Sequence, residues 1–122
     1  MMSSPAEDEV ISANVAAVNE MSERKIGALI ALERSAGLRG YIETGAQLHA
    51  YITRDLLLTI FYSQNPLHDG AVIVRNGRIE AARCILPVSA NMNIASDLGL
   101  RHRAAIGLTE ATDALVAVVS EE

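Results

Sequence analysis

Ala71-Val72-Ile73-Val74-Arg75, Asn76-Gly77 and Arg78-Ile79-Glu80-Ala81-Ala82-Arg83-Cys84-Ile85-Leu86 form the stretch that decides the fold. Two runs rich in apolar residues flank Asn-Gly, the pair suited to a type I′ turn because both central residues need positive φ. The spacing predicts an antiparallel hairpin with strands over Ala71–Arg75 and Arg78–Leu86. Upstream, Pro66 forbids continuation of a helix that Thr53 caps, with Asp55 in its first turn followed by Leu56-Leu57-Leu58, running to about Tyr62. Further back, Ile26–Leu32 reads as a buried strand, and Gly37 and Gly40 mark turns. Val10–Arg24 places Ile11, Val15, Val18 and Met21 near helical spacing, which predicts an amphipathic helix. Downstream, Ser89–Ser96 is a polar loop, Leu98–Glu110 a helix, and Leu115–Val119 a strand covered on both faces. Helices alternating with buried strands make this an α/β protein with no internal repeat.

The 122 residues, 50% of them hydrophobic, suffice for one domain with a core but not for two. A formal charge of -5 argues against a general nucleic-acid or anionic-membrane surface, so any phosphate site must be local. The single cysteine, Cys84, excludes an intrachain disulfide, and its neighbours Ile85 and Leu86 suggest a buried thiol in a reducing compartment. No apolar run approaches the roughly 20 residues that span a bilayer, and Met1 to Glu9 is acidic where a signal peptide is basic. A soluble, cytoplasmic domain is expected, with a disordered segment over 1–9.

Two segments carry chemistry. Asp69 lies between His68 and Gly70 at the start of a strand, where a carboxylate can hold a hard metal ion close to the backbone. A turn carboxylate is the structural alternative, and His68 is open to either a metal or substrate contact or a structural role. Arg101-His102-Arg103 spans roughly 200° of helical arc, more than a solvated face requires, with plain surface charge as the alternative. If the helix opens near Leu98 or Gly99, its free N–H groups add positive potential at the same place, so a polyphosphate would meet side chains and main chain together. Ser120-Glu121-Glu122 leaves the last strand at its carboxyl end, as either a metal-completing carboxylate pair or a solvated acidic end. Glu43-Thr44-Gly45, after Tyr41-Ile42, reads as a turn, with a binding loop as the alternative.

As an ordered set these segments resemble the diadenylate cyclase domain, over about Ile26 to Glu122. The resemblance rests on Tyr41-Ile42-Glu43-Thr44-Gly45, Pro66-Leu67-His68-Asp69-Gly70-Ala71-Val72-Ile73, Cys84-Ile85-Leu86-Pro87-Val88-Ser89, Arg101-His102-Arg103-Ala104-Ala105 and Val119-Ser120-Glu121-Glu122. It is greatest to the membrane-type cyclases, whose catalytic domain follows transmembrane helices through a linker helix, here 10–25, with the catalytic domain over 26–122. The resemblance implies a single domain with a twisted mixed β-sheet flanked by helices, condensing two ATP into cyclic di-AMP across a face-to-face homodimer. It implies that Asp69 binds a divalent metal (manganese, magnesium or cobalt) and orients or deprotonates the attacking 3′-hydroxyl, with His68 and Glu122 as further metal ligands. Gly70 and Ala71 pass close to the nucleotide, Leu86 lies against adenine, Arg101, His102 and Arg103 hold the phosphates, and Ser120 completes the phosphate contacts. Two positions within the implied ATP site depart from the family pattern: Leu100 replaces a Thr that can reach a phosphate, and Ile85 replaces a Tyr that stacks on adenine. His49 also stands where the membrane-type members usually have Asp. Leu100 and Ile85 motivate a rival reading, a nucleotide-binding or sensory domain of the same fold with weak or no turnover, and a second rival is a plain homodimerisation domain in which the cations serve the interface.

Overall fold

The computed structural model describes residues 5–62, 64–91, 93 and 99–121. In chain order the elements are α1 (Pro5–Arg24), β1 (Ala28–Leu32), α2 (Arg39–Ile42), β2 (Ala46–Tyr51), α3 (Arg54–Phe61), β3 (Ala71–Arg75), β4 (Arg78–Cys84), α4 (Leu100–Ala111) and β5 (Leu115–Val119). The strands form one mixed sheet in the order β2-β4-β3-β1-β5, in which only β1 and β3 run parallel. This is the mixed sheet with flanking helices that the resemblance to the diadenylate cyclase domain implies.

Side chains alternate across the sheet and divide the core into two layers. Ala28, Ile30, Val72 and Val74 pack with Ala17 and Met21 of α1 and with Leu57, Ile60 and Phe61 of α3. Leu29, Ala31, Ala71 and Ile73 face the opposite layer, with Ile42 of α2 and Ala104, Ala105 and Leu108 of α4. The small alanines of α4 let that helix lie close over the sheet. Gly107 lets α4 lie equally close against the segment after β4, since a Cβ there would fall 2.7 Å from the Pro87 carbonyl carbon and 2.9 Å from the Ser89 nitrogen.

The hairpin forms as predicted, with φ of 53° at Asn76 and 75° at Gly77, although β4 ends at Cys84 rather than Leu86. Thr53 caps α3, its hydroxyl accepting from the Leu56 N–H at 3.0 Å. Several boundaries differ from expectation. Helix α1 begins at Pro5 instead of Val10, because Pro is favoured in a first helical turn and Glu7 and Asp8 complement the positive helix end; residues 5–9 are therefore helical, not part of a disordered segment. Gly40 lies inside the short helix α2 and not at a turn. Strand β2 was not legible, since Ala46-Gln47-Leu48-His49-Ala50-Tyr51 is a half-exposed edge strand broken by a bulge at His49, whose φ is 53°. Strand β5 is also an edge strand. Helices touch it on both faces, but Leu115 remains 55% exposed because nothing pairs with its outer edge. Residue 98 of the predicted 98–110 helix and residues 92 and 94–96 of the predicted 89–96 loop lie outside the described residues, and α4 starts at Leu100 with Gly99 as its N-cap.

The loop after β1 is tied to the far end of the chain by Asp113. Its Oδ1 accepts from the Ala36 N–H at 2.8 Å and its Oδ2 from the Ser35 N–H at 3.0 Å. The Ala36 and Ser35 amides hold its carboxyl below the usual carboxylate value. A lowered folded-state pKa stabilises the fold above the unfolded carboxyl range and loses that contribution as pH falls through the folded value. Asp113→Asn is therefore expected to lower Tm near neutrality, and the gap from the unaltered protein should close below about pH 4. Melting curves over that range check this.

Candidate active site

At one end of the sheet the amino ends of β1 and β3 meet the carboxyl ends of β4 and β5, and a cleft of about 1020 Å³ opens there beneath α4. In open parallel sheets ligands gather at the carboxyl ends of the strands. In this sheet the antiparallel edges place the opening at the amino end of the parallel pair. His68, Asp69, Gly70, Ile85, Leu86, Leu100, Arg101, His102 and Ser120 all line it. Segments far apart in sequence thus converge as expected.

Asp69 is exposed and immediately precedes Gly70, whose φ is 84°. A Cβ at Gly70 would lie 2.7 Å from the Cys84 carbonyl oxygen, so glycine is needed both for the turn and for the close approach to β4. His68 is half-buried, and its Nδ1 lies 2.5 Å from the Asn65 carbonyl oxygen. A carbonyl only accepts, so Nδ1 carries the proton and Nε2 is left as an acceptor or metal ligand.

On the other side, α4 opens with Gly99 as N-cap and without a side-chain cap. The Arg103 N–H reaches the Gly99 carbonyl at 3.2 Å, and by helix geometry the preceding amides have no intrahelical acceptor. Arg101 and His102 flank this positive end. Arg101 is held by an ion pair from its Nη1 to Glu121 Oε1. Gly27 makes room for the pair, since a Cβ there would lie 2.6 Å from Glu121 Cγ and 2.7 Å from Arg101 Cζ. Arg103 does not line the cleft, because residues two apart on a helix point to different sides. Its carbonyl instead accepts from the Ser89 N–H at 3.0 Å and seats α4 on the segment after β4. Ala71 is fully buried in the layer beneath α4 and does not line the cleft either. Glu122 lies outside the described residues.

The apolar wall combines Leu86, which is buried, with Ile85 and Leu100, which are 69% and 72% exposed. Cys84 is buried behind it, and desolvation pushes its thiol up to about 11, so it is a packing group and not a nucleophile. Thr44, read as a turn residue, lines the cleft: its hydroxyl accepts from the Ile85 N–H at 2.8 Å and donates to the Tyr41 carbonyl at 2.6 Å, pinning the segment after β4. Arg83 also lines it and carries no sequence signal.

Among the described residues no group of three or more His, Cys, Asp and Glu side chains is placed to hold a metal ion. Magnesium-like ions bound with phosphates take only one or two carboxylates and complete their shell with phosphate and water. Asp69, with the free Nε2 of His68 nearby in sequence, fits an ion that arrives with a polyphosphate, not a preformed cage.

Residues 15–122 match the family described as DisA bacterial checkpoint controller nucleotide-binding, the DAC domain. The chain belongs to this family. Cyclic di-AMP synthase CdaA of Bacillus subtilis is 50% identical over 117 residues, which are 96% of this chain and 43% of that protein. Diadenylate cyclase CdaS of Bacillus thuringiensis is 53% identical over 106 residues, 87% of this chain and 53% of that protein. The crystal structure of DacA from Staphylococcus aureus superposes with a TM-score of 0.92 at 44% identity, covering 97% of this chain and 79% of that one. A Bacillus cereus structure described as a hypothetical membrane spanning protein has a TM-score of 0.89 at 50% identity, covering 93% of this chain and 55% of that one. The DAC chain described here spans about half the length of the curated relatives it matches. Among its described residues no helix is long and apolar enough to cross a membrane.

Proposed function

We propose that this chain is the catalytic domain of a diadenylate cyclase, joining two ATP molecules into cyclic di-AMP with release of two pyrophosphates. The observation that carries the reading is one cleft lined both by Asp69 and by the uncapped end of α4 with Arg101 and His102. It is supported by the names of relatives about half identical to this DAC domain.

In each half-reaction the 3′-oxygen of one nucleotide bonds to the α-phosphorus of the other. The bond from that phosphorus to the pyrophosphate oxygen breaks, and the hydroxyl proton leaves. Asp69 orients the hydroxyl and accepts its hydrogen bond, while the α4 amides, Arg101 and His102 hold the triphosphate and spread its charge. Leu86 and Ile85 offer the adenine an apolar surface. A divalent ion, manganese, magnesium or cobalt, would be held by Asp69, with His68 and Glu122 as further candidate ligands, and would supply positive charge at the phosphates. One cleft takes one nucleotide, so two domains must face each other, and positioning supplies much of the rate. In the full-length protein, a membrane-spanning part joined through α1 would anchor the domain on the cytoplasmic side.

Incubation with ATP and manganese followed by mass analysis tests the reading. Cyclic di-AMP is the expected product, with specific activity rising with enzyme concentration in dilute solution. ATP binding without product would instead favour a sensory domain, the second reading that Leu100 and Ile85 motivate.

Leu100 yields a sharper test, because it is exposed at the first position of α4 and not packed in the core. Leu100→Thr is expected to improve ATP affinity or turnover by up to one charge-assisted hydrogen bond, about 1.5–3 kcal/mol, with Tm little changed. An unchanged titration would show that the phosphates are held without a hydroxyl here.

A further inference from the structure

The cleft contains a cation that arrives by a distortion of the sheet. Along the β3–β4 ladder Ala71 pairs with Cys84 and Ile73 with Ala81, so β4 uses three steps where β3 uses two. Arg83 lies in this bulge, with φ of 57°. The bulge turns Cys84 to the same core layer as Ala81, three residues away, which an unbroken strand would not do. Arg83 is left exposed on the cleft wall, with its Cα 3.2 Å from where a Gly70 side chain would begin. Left-handed backbone favours glycine, yet arginine occupies the position. Such outliers cluster at ligand sites, where they aim a side chain. Arg101 is paired with Glu121, whereas the Arg83 guanidinium has no ion-pair or hydrogen-bond partner among the described residues.

Sheet order places this cation. Strand β3, which Asp69 precedes, lies between β4 on one side and β1 and β5 on the other. Arg83 at the end of β4 and Ser120 beyond β5 are therefore separated by three strand spacings, roughly 14 Å, with Asp69 between them. A nucleotide whose triphosphate lies at α4 presents its own phosphates on the α4 side of Asp69. The phosphate that its 3′-hydroxyl attacks belongs to the second nucleotide and comes from the facing domain. We propose that Arg83 is a catalytic residue in the second-nucleotide subsite, where its unpaired guanidinium binds the α-phosphate brought by the facing domain. The bonds made and broken are those given above. Arg83 neutralises charge on the non-bridging oxygens as pyrophosphate leaves.

This inference rests on the cyclase reading, and the test separates the two. Arg83→Gly removes the guanidinium and suits the left-handed backbone, so Tm should hold or rise. ATP affinity of the domain should stay within about twofold, while turnover at saturating ATP falls about tenfold or more, the effect of one charge-assisted hydrogen bond. Arg83→Lys should recover part of the rate. Cyclic di-AMP is a probe that needs no turnover, because its two phosphates span both positions; Arg83→Gly should weaken its binding about tenfold. Unchanged turnover and unchanged cyclic di-AMP binding would overturn the inference. So would an equal loss of ATP affinity, which would assign Arg83 to its own domain's nucleotide. If the unaltered protein binds ATP and cyclic di-AMP but forms no product, the cyclase reading fails, and the two binding titrations still decide Arg83. If the unaltered protein neither forms nor binds cyclic di-AMP, both fail.

Discussion

Asp69→Asn should leave the protein folded and able to bind ATP while cyclic di-AMP formation falls by roughly 10²–10⁴-fold, the range typical of removing a positioned acid–base group. The side chain is exposed at the start of β3, so the substitution removes no packing from either core layer. The amide keeps the size of the carboxylate and loses its negative charge, and with it the strong acceptor for a hydroxyl proton and the ligand for a hard cation. The phosphate-binding groups proposed on α4 are untouched, so nucleotide affinity should change much less than turnover. Product quantified by mass, beside a melting curve and an ATP titration, separates these effects. Turnover within about threefold of the unaltered protein, well short of the loss expected for an acid–base group, would remove Asp69 from the proposed mechanism.

Gly107→Ala should cost stability where helix propensity alone predicts a gain. In an exposed helix interior, replacing Gly with Ala stabilises by roughly 0.5–1 kcal/mol. Here the new Cβ would meet the Pro87 carbonyl and the Ser89 nitrogen. These are backbone atoms that cannot rotate away, so α4 and the Pro87–Ser89 segment must move apart. Overpacking of this kind costs about 1–3 kcal/mol or more, and Tm should drop by roughly 5–15 °C. Because α4 carries Arg101 and His102, ATP affinity should fall as well. Gly40→Ala is the control, since no atom lies within 4 Å of its Cβ position; in the short helix α2 it should be neutral or mildly stabilising. Urea unfolding should show a loss of stability for Gly107→Ala and none for Gly40→Ala, and a stabilised Gly107→Ala would show that α4 tolerates a wider seat.

Local chemistry explains what could be read from the chain. Asn76-Gly77 supplies two residues that accept positive φ, Thr53 supplies a capping oxygen, and the apolar runs of β1, β3 and β5 have no other place to go than a sheet. Asp69 and the Arg101-His102 pair were visible because their residue types are suited to metal and phosphate and stand beside a strand start and a helix start. The short edge strand β2 was hidden, since its mixed small and polar residues resemble a loop until a neighbour supplies the hydrogen-bond ladder.

The sequence by itself determined the class of the fold, the hairpin, the caps and the two segments that carry chemistry, because each depends on residues within a few positions of one another. Tertiary structure alone decided which cations share the cleft. Helical phase separates Arg103 from Arg101, a bulge invisible in the residue pattern brings in Arg83, and the clearance at Gly27 admits the Arg101–Glu121 pair. Each of these depends on how segments far apart in the chain come to lie against one another, and no local preference encodes such a distance.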